Sequence, residues 1–252
     1  MTPHFLTTPE GRRIAFHHRP GAGPGAGPGV VFLGGFRSDM TGTKAVFLQD
    51  WAERTGRAFL RFDYSGHGQS QGAFEAGAIG DWLADARAAL GLTTGRQVLV
   101  GSSMGGWIAL LLARALPDRV AGLVLVAAAP DFTEDLMWAG FSAKQRAEVL
   151  EQGQTLEPSD YGAPYEVTRR LIEDGRQHLV LRARLALPWP VRLLQGTADA
   201  DVPQAVALRL MDHAESPDLR LTLVKGADHR FSTPECLAMI SAAVEDVTRC
   251  AG

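Results

Sequence analysis

A chain of 252 residues, 46% hydrophobic and 21% charged, is long enough to bury one sizeable core. Its formal net charge of -3 at pH 7 leaves no basic excess for neutralising phosphates, which argues against nucleic acid as a partner and for a small molecule or acyl group. Two cysteines and no CxxC spacing leave no disulfide framework and no cysteine-rich metal site, and fit a reducing compartment.

The N-terminal stretch MTPHFLTTPEGRRIAF has no apolar run of signal-peptide length, and Glu10 with its neighbouring turn residues argues against a transit peptide. No run approaches the roughly 18 apolar residues of a membrane span. The expectation is a soluble, cytoplasmic protein.

A strand pair is expected at 5–7 and 13–17, followed by PGAGPGAGPG at 20–29, whose glycine and proline content forbids regular structure and reads as a long hairpin-type connection. Short apolar runs then recur at 30–33, 58–62, 98–100, 123–127, 191–194 and 219–224. Bounded by Gly or Asp and rich in Val and Leu, they fit strands buried on both faces of a parallel sheet. Helices are expected between and after them at 43–55, 82–90, 106–115, 204–212 and 234–249. Cys236 and Cys250 would share the last helix, about 21 Å apart at 1.5 Å of rise per residue, too far for a disulfide. The alternation predicts a mostly parallel, doubly wound α/β sheet with helices on both faces.

From Asp131 to Leu187 the rhythm stops and no strand is evident. KQRAEVLEQG and YEVTRRLIEDG read as charged amphipathic helices and DLMWAGF as an apolar piece. Residues 131–187 are therefore expected to form a small helical cap inserted into a single domain spanning 1–252, over the carboxyl ends of the strands where open α/β sheets bind ligands. The alternative is an ordinary pair of surface helices.

Gly101, Ser103 and Gly105 form G-x-S-x-G between the apolar VLV and the apolar helix WIALLLARAL. A tight strand-to-helix turn exposes a nucleophile there, and flanking glycines remove side chains that would clash. Ser103 is the candidate; its neighbour Ser102 is flanked two residues away by Val100 and Met104. The Met104 N–H, at the helix start, is a candidate oxyanion donor, and Phe36 N–H in LGGFRSDM, after Gly34 and Gly35, is the second.

A serine hydroxyl needs a base to take its proton. Of seven histidines, His229 in KGADHRF lies between the last expected strand and the last helix, at the same sheet edge as Ser103. The orienting acid is Asp199, early in the loop GTADADVP, with Asp131 as the alternative; Asp201 reads as a cap for the next helix.

With Ser103, Asp199 and His229 in chain order, the sequence resembles the α/β-hydrolases. RFDYSGHGQS at 61–70 resembles the loop these hydrolases carry after their second parallel strand, which implies a structural role for His67. GTKA at 42–45, VGSSMGGW, RLLQGTADADVP and DHR taken together resemble the branch of a mitochondrial palmitoyl-protein thioesterase and acyl-glucuronide esterase. Residues 131–187 match that branch least.

The expected chemistry is serine-dependent hydrolysis of a carboxylic ester or thioester, of small or apolar acyl groups, with an acylated protein as a further candidate substrate. It calls for no cofactor and no metal. Gly35, Trp107, Phe132, Met137, Trp138 and Phe141 are the candidate substrate-binding residues, the last five for an acyl chain; each apolar one reads equally well as plain core. Other α/β-hydrolase chemistry, C–C hydrolysis or peroxidation, and a non-catalytic ligand receptor are the alternatives. Oligomeric state has no signature in the sequence.

Overall fold

A computed structural model describes residues 2–23, 27–158 and 164–251. Positions 24–26 of the expected glycine- and proline-rich connection, and 159–163 of the insertion, lie outside the described residues. Eight strands, β1 (His4–Thr7), β2 (Arg13–Arg19), β3 (Gly29–Leu33), β4 (Phe59–Phe62), β5 (Gln97–Ser102), β6 (Val120–Val126), β7 (Val191–Gly196) and β8 (Leu219–Val224), form one sheet in the order β1-β2-β4-β3-β5-β6-β7-β8. β2 pairs antiparallel with both β1 and β4, and every later pair is parallel.

Successive side chains of a strand point to opposite faces, so a strand buried on both sides must be apolar throughout. β3 and β6 meet that demand along their whole length. Val31 and Leu33 enter one core, closed by α2 (Ile79–Leu90) and α3 (Met104–Ala115) through Trp82, Trp107 and Ile108. Val30 and Phe32 enter the other, closed by α1 (Thr43–Thr55) and the C-terminal helix (Pro234–Cys250) through Leu48, Trp51, Ile240 and Val244. Both cysteines lie on that C-terminal helix as free thiols. Among the described residues no helix is long and apolar enough to cross a membrane.

Register brings the working ends of the strands level. Leu33 pairs with Gly101 and Ser102 with Val126, so the loops after β3 and β6 and the start of α3 share one rim.

Between β6 and β7 the chain leaves the sheet. It forms a π-helical turn (Thr133–Trp138), α4 (Ala143–Gln152), α5 (Arg169–Arg176) and, between those two helices, an antiparallel hairpin of Gln154–Glu157 with Tyr165–Thr168. The expectation of a wholly helical insertion is corrected here. YEVT, read as the start of a helix, is extended because Thr155 and Val167 pair across the hairpin and both are buried, while its other residues are more exposed. A further helix, α6 (Gln204–His213), follows β7, and the residue at its N-cap is Pro203 rather than Asp201.

Candidate active site

Ser103 sits between β5 and α3 with φ 54 and ψ -121, a backbone region that side-chain-bearing residues rarely occupy. The surroundings over-determine it. Ser103 N–H donates to the Val126 carbonyl at 3.0 Å, and its own carbonyl accepts from Gly106 at 2.9 Å and Ala129 at 3.1 Å. A Cβ on Gly105 would stand 2.0 Å from the Leu33 carbonyl oxygen, and one on Gly101 2.4 Å from that of Gly105. The glycines of G-x-S-x-G are thus required by the close approach of β3, β5 and α3.

From this turn Ser103 Oγ reaches His229 Nε2 at 3.1 Å, and His229 Nδ1 reaches Asp199 at 2.9 and 3.1 Å. A carboxylate only accepts, so Nδ1 carries the hydrogen and Nε2 presents the lone pair to the serine hydroxyl. Asp199 is itself held: its Oδ1 accepts the amides of Asp201 at 3.0 Å and Val202 at 2.8 Å, and its Oδ2 accepts from Gln195 Nε2 at 2.9 Å. Gln195 was not among the expected site residues, though a polar side chain in the otherwise apolar end of β7 was the available signal.

Asp131, the alternative acid, is engaged elsewhere. Fully buried, it accepts the amides of Val180 at 2.8 Å and Leu181 at 2.9 Å and is paired with Arg182 at 3.2 Å. Burial raises its pKa against those donors.

Met104 begins α3, so its N–H has no partner within the helix. Gly35 lies directly against Ser103, since a Cβ there would be 3.3 Å from the serine Cβ. The positive φ of this loop falls on Arg37, at 58°, and not on Gly34 or Gly35. The Phe36 ring is set by edge contacts with Phe74, Trp82, Phe132 and Tyr165 at centroid distances of 4.8 to 5.8 Å, so the hairpin of the insertion reaches this loop.

A cavity of about 160 Å³ opens beside Ser103, lined also by Gly35, Phe36, Thr43, Lys44 and His229. Burial pulls the pKa of Lys44 down to about 8 although Asp228 opposes the shift. Of the expected substrate-binding residues, Gly35 lines this cavity and the five apolar ones do not. Trp107 is fully buried and donates to the His178 carbonyl at 3.0 Å. Phe132 bridges the rings of Phe36 and Trp107, Trp138 packs on Phe141 with Arg176 over its face, and Met137 is half-buried against the same core. Asp199, Asp201 and His229 offer a cation three ligand atoms within 4.8 Å of one another, but using them would break the His229–Asp199 bond.

Residues 30–242 match the Alpha/beta hydrolase family. The rat palmitoyl-protein thioesterase ABHD10, mitochondrial, is 32% identical over 98% of this chain and 82% of its own length, and the human protein 32% over 96% and 79%. A crystal structure of an Agrobacterium vitis S4 protein superposes with a TM-score of 0.94 at 43% identity, covering 98% of both chains. Mouse alpha/beta hydrolase domain-containing protein 10 superposes with a TM-score of 0.88 at 31% identity, also over 98% of both. These curated relatives are mitochondrial proteins, which overturns the expectation of a cytoplasmic location. Sequence match, strand order and overall superposition agree: the chain belongs to the alpha/beta hydrolase family.

Proposed function

We propose that the chain is a serine hydrolase of carboxylic esters or thioesters with an apolar acyl group. The observation that carries this reading is the hydrogen-bonded line from Ser103 through His229 to Asp199, starting from a serine held at φ 54. Ser103 Oγ attacks the acyl carbon while its proton passes to His229 Nε2; Asp199 holds the imidazole in the tautomer that accepts it and steadies the imidazolium. The amides of Phe36 and Met104 receive the charge that develops on the carbonyl oxygen, each such donor being worth about 10²–10³ in rate. The tetrahedral intermediate collapses, the leaving alkoxide or thiolate takes the proton from His229, and water repeats the sequence to release the acid.

The family and the thioesterase names of the mammalian relatives support acyl transfer to water, and extend the candidate substrates to an acylated protein. The cavity beside Ser103, lined by Gly35, Phe36, Thr43 and Lys44, is the space this reading gives to the acyl group.

The test is hydrolysis of a chain-length series of nitrophenyl esters and matching acyl thioesters by wild type, Ser103→Ala and Ser102→Ala. Activity that vanishes in Ser103→Ala and survives in Ser102→Ala is the expected result, and the length optimum then sizes the acyl site. Inert wild type, or a fully active Ser103→Ala, overturns the reading in favour of other chemistry or a ligand receptor.

A further inference from the structure

We infer that His67 is a positioning residue for the oxyanion-binding loop, its Nε2 lone pair holding the Arg37 amide and through it the Phe36 peptide. The inference rests on the reading of Phe36 N–H as an oxyanion donor.

The hydrogen-bond pattern admits one protonation state. Arg37 N–H, 3.3 Å from Nε2, can only donate, and the Ser65 carbonyl, 3.1 Å from Nδ1, can only accept. Nδ1 therefore carries the hydrogen and Nε2 the lone pair. A second proton would set Nε2–H against Arg37 N–H. The ring is buried, which itself lowers its pKa and favours the neutral form over the pull of Asp85.

The amide it holds belongs to the residue that bears the loop's left-handed turn. Arg37 has φ 58, and a residue with a Cβ stays there only when its surroundings hold it. Anchoring the Arg37 amide fixes ψ of Phe36, one torsion away from the Phe36 N–H. The same imidazole packs edge-on against Phe74 at 5.1 Å and Trp82 at 5.3 Å, and both of those rings touch Phe36. His67 thus controls the Phe36 backbone through its lone pair and bears on the Phe36 side chain through shared neighbours. It is not a second base, because its lone pair is committed and Ser103 is served by His229.

Two variants separate the lone pair from the ring. His67→Phe keeps the bulk and removes the acceptor; His67→Gln places an amide oxygen near the position of Nε2. In His67→Phe, kcat on a nitrophenyl ester falls about tenfold to a hundredfold, the effect of a misplaced catalytic group. Affinity for a trifluoromethyl ketone, which forms the tetrahedral adduct, falls by the same factor, while KM and affinity for the product acid stay within about twofold of wild type. His67→Gln recovers most of the loss. Amide exchange at Arg37, followed by NMR, speeds up in His67→Phe and not in His67→Gln, a readout that needs no turnover. Unchanged exchange in folded His67→Phe overturns the inference, as does equal impairment of the two variants. If exchange responds but the ketone affinity does not, the assignment of Phe36 as donor fails, and the positioning of an oxyanion loop by His67 fails with it. Inert wild type instead condemns the hydrolase reading.

Discussion

Gln195 Nε2 donates to Asp199 Oδ2 at 2.9 Å, the same oxygen that lies 2.9 Å from His229 Nδ1. The amide nitrogen also faces the carbonyls of Val202 at 3.0 Å and Gly196 at 3.3 Å, so a flipped amide would set its oxygen against three acceptors. Gln195 therefore fixes the rotamer of the carboxylate that orients the imidazole. Gln195→Leu is expected to lower kcat about tenfold, in keeping with the loss of a hydrogen bond to a charged group, about 1.5–3 kcal/mol. Steady-state rates of Gln195→Leu and wild type on a nitrophenyl ester check this; an unchanged kcat removes the role.

Asp131 and Asp199 are predicted to separate stability from activity. Asp131→Ala strands the buried amides of Val180 and Leu181, each worth about 1–3 kcal/mol when left unpaired, while activity per folded molecule stays within a few fold of wild type. Asp199→Ala likewise strands two amides, those of Asp201 and Val202, but in addition loses about 10⁴ in kcat per folded molecule. Urea melts alongside active-site-normalised rates decide, and the assignment of the acid changes if Asp131→Ala is the inactive one.

The elbow tolerates no extra carbon. Gly105→Ala drives a Cβ into the Leu33 carbonyl and is expected to abolish soluble expression or cost more than about 3 kcal/mol, whereas Gly140→Ala meets nothing within 4 Å and is expected to be neutral. Expression yield and thermal midpoints of the pair provide the comparison.

Arg192, buried in β7, bonds to Asp218 at 2.8 Å and Asp246 at 2.6 Å and ties β7 to the start of β8 and to the C-terminal helix. Its hydrogen bond lowers the pKa of Asp218 below the ordinary 3.8. A depressed carboxylate stabilises the fold above the unfolded value and loses that contribution as pH falls through the folded one. The stability gap between wild type and Arg192→Met is thus expected to be wide at pH 7 and to narrow below about pH 4. Urea midpoints at the two pH values measure it, and a gap that widens in acid contradicts the account.

The parts of this protein written in short range were legible in its sequence. β3 and β6 announced themselves because burial on two faces demands an unbroken apolar run, and α1 ran to its expected bounds because Gly56, at φ 69, stops it. Ser103 and His229 could be singled out because each sits at a strand exit. The structure brings them together with Asp199. What stayed hidden depends on long-range meetings. The hairpin in the insertion has strands of four residues with one buried position each, too little for a period to register. His67 meets Arg37 across 30 positions, and Asp131 meets Val180 across 49, so neither bond leaves a local trace.

The clamp at Asp131 has a consequence for how such a protein can change. The chain leaves the sheet just before that carboxylate and comes back to it at Val180 and Leu181, so one side chain closes the two ends of the insertion on each other. Between those ends the segment has ties of its own to the sheet domain, from Trp107 to the His178 carbonyl, from the Gly80 amide to Asp174 and from Arg170 to Asp81. A segment exchanged for this one would have to reproduce those partners as well as deliver two amides to the same oxygens.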